Sequence, residues 1–155
     1  MNIRFGIAFE KAKTLFFDRG YVKSLIDETA LHKLSRFGAY VRQKARDLIR
    51  TPGKGGAASK PGQPPKNRVG QLRNFILFSY EPADRAVIIG PTKLNQKIGN
   101  APEALEYGGE SVSAVGPRGK RRKIAVQIEA RPYMHPAFDI ELAKVPDDWR
   151  DSIIG

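Results

Sequence analysis

Leu31, Leu34, Gly38, Val41, Ala45 and Leu48 put an apolar or small residue at every third or fourth position, while Lys33, Arg36, Lys44, Arg46 and Asp47 fall between them. That spacing wraps one face of an α-helix, so it predicts an amphipathic helix with a buried stripe. Asp27 or Thr29 is the expected N-cap, because a short side-chain oxygen accepts from the free N–H groups of a first turn. Arg46 and Arg50 suit the last turn, where cations meet the negative end of the helix dipole. Thr51-Pro52-Gly53 ends the helix, since the residue before a proline is pushed out of the α region. A glycine inside a helix costs about 1 kcal/mol relative to alanine. Gly38, together with Ala45, therefore predicts a close approach by another element on this face.

Residues 2–10 support two readings. Ile3, Phe5, Ile7 and Phe9 alternate as in a strand, while Phe5, Phe9, Ala12 and Phe16 mark a helix face. A short strand running into a helix over 10–17, ended by Asp18-Arg19-Gly20, satisfies both. Beyond the long helix, residues 53–69 hold glycine, proline and basic residues with almost nothing apolar. Such a composition packs no core and predicts an extended, mobile arm whose removal leaves the fold intact. Phe75–Tyr80 and Arg85–Gly90 are rich in β formers and flank Glu81-Pro82-Ala83-Asp84, which predicts a β-hairpin closed by Pro91. Pro102 suits the first turn of a short helix over 103–107 that ends at Gly108-Gly109. Ser111–Gly119 is expected to be irregular, Lys123–Glu129 a strand, and the segment after Pro136 a short helix. The expected fold is α+β: a long N-terminal helix packed on a small antiparallel β-sheet of three to five strands, with a long mobile loop and a short C-terminal helix.

The 155 residues suit one domain, 1–155. There is no cysteine, which removes disulfides, thiolate metal sites and a cysteine nucleophile together. No stretch approaches the ~20 apolar residues of a membrane span, and the N-terminus has no export signal, so a soluble, unexported chain is expected. The charge is lopsided, with 27 Lys and Arg against 16 Asp and Glu, giving +11. Such an excess fits a solvated basic surface, a polyanion or an acidic protein neighbour. The bases gather at Lys54, Lys60, Lys66 and Arg68 and again at Arg118, Lys120, Arg121, Arg122 and Lys123. Neither cluster interleaves aromatics, so neither offers the stacking platform of a single-strand binder.

Catalysis finds little support. His32 and His135 are far apart and sit in no metal-ligand spacing, and Gly53-Lys54-Gly55-Gly56 lacks the spacing of a phosphate-binding P-loop. Glu103, Glu106 and Glu110 are near one another, yet such carboxylates are usually solvated or bound to basic neighbours. No cofactor or metal site is expected.

Five segments carry a family pattern: Ala45-Arg46-Asp47-Leu48-Ile49, Ser59-Lys60-Pro61-Gly62-Gln63-Pro64-Pro65, Gly70-Gln71-Leu72-Arg73-Asn74-Phe75-Ile76, Pro102-Glu103-Ala104-Leu105-Glu106-Tyr107-Gly108-Gly109, and Ala130-Arg131-Pro132-Tyr133-Met134-His135-Pro136-Ala137-Phe138. In that order they resemble the tail-completion (neck, head-to-tail joining) proteins of long-tailed bacteriophages. There a helix leads to a mobile loop, a G-x-L-R-x-x-I strand start, an L-E-[FY]-G turn and an R-P-[FY]-x-x-P-A segment. The matching positions are Gly70, Leu72, Arg73, Glu106, Tyr107, Gly108, Arg131, Pro132 and Pro136. Residues 1–30 carry no motif of the family, and the 118–123 cluster is not part of its pattern.

The resemblance implies a virion protein, assembled in the host cytoplasm, that forms a homo-oligomeric ring, a hexamer or alternatively a dodecamer. The ring would sit in the neck around the genomic DNA, between the head-closure or connector protein and the tail terminator or tail tube. It implies no activity and no cofactor. The arm, with Lys54, Lys60, Pro61, Pro64, Pro65, Lys66 and Arg68, is expected to reach a neighbouring subunit or ring. Two rivals come from other classes: a basic nucleic-acid-binding protein using both basic clusters, and a small hydrolase or nuclease using Glu103, Glu106 and His135.

Overall fold

The computed structural model describes residues 19–52, 57–66, 70–92, 100–115 and 122–150. Helix α1 (Arg19–Leu48) is followed by the single turn α2 (Gln71–Asn74), strands β1 (Ile76–Glu81) and β2 (Ala86–Pro91), and helix α3 (Ala101–Tyr107). Strands β3 (Gly109–Val115) and β4 (Arg122–Ile128) precede helices α4 (Met134–Leu142) and α5 (Val145–Trp149). The class is α+β, as the sequence predicts. In place of one sheet of three to five strands, the described residues form two separate antiparallel hairpins, β1–β2 and β3–β4.

The first hairpin is the platform for α1. Its register pairs Ile76 with Pro91, Phe78 with Ile89 and Tyr80 with Val87. Alternation sends those residues toward the helix and leaves Leu77, Ser79 and Ile88 outside. Gly38 explains the close fit. A Cβ there would stand 2.7 Å from Val87 Cγ2 and 2.9 Å from Phe78 Cδ2, closer than carbon atoms approach. The glycine lets helix and sheet touch, as its place on the stripe predicts. Arg42 Nε donates to the Ile76 carbonyl at 2.9 Å, and Arg85 Nε donates to Asp27 Oδ1 at 2.6 Å, so each end of the hairpin is tied to the helix.

The core gathers Val41, Ala45, Ile49, Ile76, Tyr133 and Ala137, with Phe37, Leu48, Leu72, Ile89, Leu105 and Met134 packed around it. Val41 is 1% exposed, and burying such a side chain contributes about 1.5–3 kcal/mol. Phe37 and Phe138 meet edge to face, with centroids 5.6 Å apart, and so join α1 to α4.

Several expectations are corrected. Helix α1 is already helical at Arg19, so Asp27 and Thr29 lie inside it and cap nothing. Asp27 is instead held by Arg85, and nothing between Gly20 and Gly38 is a strong helix breaker. Arg19 and Gly20, expected in a terminator, belong to α1, and Asp18 lies outside the described residues. Leu31 is 43% exposed, so the buried stripe of α1 runs through Ala30, Gly38, Val41 and Ala45, with Leu34 half-buried. The segment from Gly70 opens as α2 and not as a strand, because Gly70 at φ 77° turns the chain and Asn74 N donates back to the Gly70 carbonyl. Ser111–Val115, expected to be irregular, is part of β3, paired along its length with β4. The proposed element over residues 2–17 lies outside the described residues.

Candidate functional site

Three of the segments singled out in the sequence, 59–65, 102–109 and 130–138, meet at a junction around Glu106. Helix α4 begins after Ala130-Arg131-Pro132-Tyr133, which offers no Ser, Thr, Asp or Asn to cap it. Glu106, at the end of α3, supplies the cap from elsewhere in the chain. Its Oε2 accepts from the backbone N–H groups of Tyr133 (2.9 Å) and Met134 (3.0 Å), and its Oε1 accepts from His135 N–H (2.8 Å). A carboxylate at the positive end of a helix dipole is well placed, and each charge-assisted bond exceeds a neutral one. The expectation that this carboxylate is solvated or paired with a base is therefore corrected.

Around this cap the 59–65 and 130–138 segments interlock. Arg131 N–H donates to the Leu105 carbonyl at 2.6 Å, and Arg131 Nε donates to the Ser59 carbonyl at 3.0 Å. Gly62 N–H donates to the Ala130 carbonyl at 2.8 Å. Gly108, at φ 79°, ends α3, and a Cβ on it would stand 3.4 Å from Ala130 N. Pro132 is half-buried, and Pro136 lies within the first turn of α4. Segments far apart in sequence thus form one hydrogen-bonded knot.

The same contacts bear on part of the segment 53–69, expected as an extended arm. Of its residues, 57–66 are described, and they lie on the body. Ser59 and Pro65 are buried, Pro64 is half-buried, and Lys60 with Pro61 forms a surface turn in which Gln63 N–H donates to the Lys60 carbonyl. The Lys66 backbone pairs with that of Arg50 in a single parallel β-bridge, and Lys66 Nζ donates to the Ala57 carbonyl. A backbone hydrogen bond from Gly62 to Ala130 and a side-chain hydrogen bond from Arg131 to Ser59 hold a segment with few apolar side chains. Deletion of 55–63 is accordingly expected to loosen the junction and lower stability. Lys54 and Arg68 lie outside the described residues.

Tyr133 sits at the centre of the knot at 0% exposure. Its hydroxyl has no hydrogen-bond partner among the described residues. Burial pushes the phenol far above its ordinary value, and the Glu106 charge adds to the shift.

Of the remaining candidates, Leu72 packs on the core, Arg73 lies exposed 3.9 Å from Asp47, and Tyr107 is 76% exposed beside the junction. Arg122 and Lys123 are exposed at the start of β4. Arg118, Lys120 and Arg121 lie outside the described residues. The trio suggested for a hydrolase does not form an open acid–base site, because both Glu106 oxygens are engaged by backbone N–H groups. His135 Nε2 lies instead 3.8 Å from Asp139. Among the described residues no group of His, Cys, Asp and Glu is arranged to hold a metal, and no helix is long and apolar enough to cross a membrane.

Three surfaces carry apolar side chains in the open. The N-terminal part of α1 exposes Tyr21, Val22, Leu25 and Ile26, the outer face of β1–β2 exposes Leu77 and Ile88, and one face of β3–β4 exposes Ile124 and Val126, with Val112 on its other face. Exposed apolar residues gathered on an element mark contact surfaces. Sequence reasoning missed all three, along with Ser59 and the capping role of Glu106. The helix start without a local cap was the signal that a distant acceptor had to exist.

Comparison with protein-family models, curated proteins and solved structures found no match.

Proposed function

We propose that this chain is a structural virion protein of a tailed bacteriophage, a subunit of a homo-oligomeric neck ring that joins the head connector to the tail. It acts by surface contact, without chemistry of its own. The observation that carries this reading is the set of apolar side chains exposed on α1, β1–β2 and β3–β4 among the described residues. Other chains are the natural cover for such faces. The order of the motifs that resemble the family supports the neck in particular, and three of them meet at the Glu106 junction, a knot that fixes the base of the β3–β4 hairpin.

The test is assembly. Removal of the chain from its phage is expected to leave filled heads and finished tails unjoined, and addition of purified chain is expected to join them. Normal infectious particles formed without it would overturn the proposal. The +11 charge and the exposed Arg122 and Lys123 favour a second reading, a nucleic-acid-binding protein. For that reading the isolated subunit must bind duplex DNA far more tightly than the roughly micromolar, sequence-blind contacts of any basic protein near physiological salt.

A further inference from the structure

We infer that the ring closes by packing the β3–β4 hairpin of one copy on the outer face of the β1–β2 hairpin of the next, with Arg122 set against Glu81. The inference rests on the ring reading and names the contact within it.

The two faces match in chemistry and in spacing. On β4, alternation places Arg122, Ile124 and Val126 on one side, so a cation is followed by two aliphatic side chains. At its base this side meets the body, where Ser111, the cross-strand partner of Val126, is buried. Toward the tip Arg122 and Ile124 are exposed. On the outer face of β1–β2 the same steps hold Glu81, then Ile88 opposite Ser79, then Leu77. Here an anion is followed by two aliphatic side chains, and Ile88 is 64% exposed. Two residues of strand span about 6.7 Å on either face, so one alignment brings Arg122 to Glu81, Ile124 to Ile88 and Val126 to Leu77. Gly90, paired with Leu77, has nothing within 4 Å of where its Cβ would be, which leaves room for the approaching valine.

Charge selects a second copy as the occupant. The described part of β3–β4 begins β4 with two bases, whereas the turn of β1–β2 carries Glu81 and Asp84, with Arg85 already paired to Asp27. One chain therefore offers both halves of a complementary pair on different elements. A contact of unlike surfaces repeats from subunit to subunit and closes a ring when the rotation permits.

The experiment compares Arg122→Glu, Glu81→Lys, their equimolar mixture and the parent chain by sedimentation velocity and native mass spectrometry, with melting temperature as the folding control. Each single variant is expected to melt like the parent and to self-associate roughly tenfold more weakly, because like charges then meet. The mixture is expected to regain parental assembly. At one contact the introduced glutamate of the first variant meets the introduced lysine of the second, and at the next contact Arg122 meets Glu81 as in the parent. Unchanged assembly in both variants, or weakening without rescue in the mixture, overturns the inference and leaves the ring standing. A parent chain that stays monomeric at every concentration and in the particle overturns the ring itself.

Discussion

From Gly38 to Leu48, helix α1 presses its stripe into the molecule; from Arg19 to Ile26 the same helix holds Tyr21, Val22, Leu25 and Ile26 in solvent. Both stretches have apolar residues at helical spacing. What differs is what the chain brings back to cover them. Hairpin β1–β2 reaches along α1 as far as Asp27, where Arg85 ties its turn to the helix. The residues from Arg19 to Asp27, at about 1.5 Å each, extend roughly 12 Å past that tie. Periodicity thus specifies which face of a helix is apolar, while the partner that buries it is set by the rest of the chain or by another chain. The two hairpins repeat the contrast. The inner face of β1–β2 is covered by α1, and β4 is exposed along nearly its whole length.

Expected stability effects divide the molecule along the same line. The largest belongs to the junction. Glu106→Ala removes the acceptor of three backbone N–H groups at the start of α4, and buried donors left unpaired destabilise by roughly 3 kcal/mol in urea unfolding. Glu103→Ala, one turn away and exposed, is expected to stay within about 0.5 kcal/mol. Similar values for the two would mean that α4 does not depend on this cap.

Within α1 the contrast is direct. Val41→Ala is expected to lower stability by about 2–3 kcal/mol, because its cavity lies in a packed core. Ile26→Ala in the isolated chain is expected to change it by less than about 0.5 kcal/mol. A large loss at Ile26 would show that the projecting stretch is already covered in the free subunit. A smaller effect is expected at Gly38. Alanine gains about 1 kcal/mol of helix propensity, but a methyl group 2.7 Å from Val87 Cγ2 overpacks the contact by about 1–3 kcal/mol. The expected net loss is about 1 kcal/mol, and adding Val87→Ala is expected to recover part of it. Independent, additive effects would mean that helix and sheet stand farther apart.

Local patterns were legible in the sequence; remote satisfaction was not. The α1 stripe, the β1–β2 hairpin, Pro102 in the first turn of α3 and the glycine exit at Gly108 all follow from signals a few residues long. Gly38 was legible as a close approach, although Phe78 and Val87 as its neighbours were not. Glu106 looked like a surface carboxylate because its three donors lie 27 to 29 residues away. Segment 57–66 looked mobile because it has almost no apolar side chains, yet a backbone hydrogen bond to Ala130 and the Arg131 side chain hold it in place. The outward faces of the hairpins were illegible for a different reason. An apolar residue in a strand has the same sequence signature whether its cover is the same chain or another.

The last expected effect lies at a flaw in the closed part of the molecule. Tyr133 is fully buried in the core, and its hydroxyl has no partner among the described residues. A buried hydroxyl without a hydrogen bond opposes folding, so Tyr133→Phe is expected to be stabilising by about 1 kcal/mol at neutral pH. The sign with pH follows from the raised pKa of the phenol. Above about pH 10 the unfolded chain ionises this tyrosine while the folded chain keeps it neutral, so the unfolded state binds fewer protons and stability falls as pH rises. Phenylalanine cannot ionise, and its advantage should widen by up to about 1.4 kcal/mol per pH unit in that range. Urea unfolding of the two chains at neutral and at alkaline pH measures both effects. A destabilised phenylalanine variant at neutral pH would show that the hydroxyl has a partner, and a pH-independent difference would show that the ring reaches solvent. Either result would move Tyr133 from the closed part of the molecule to the open one.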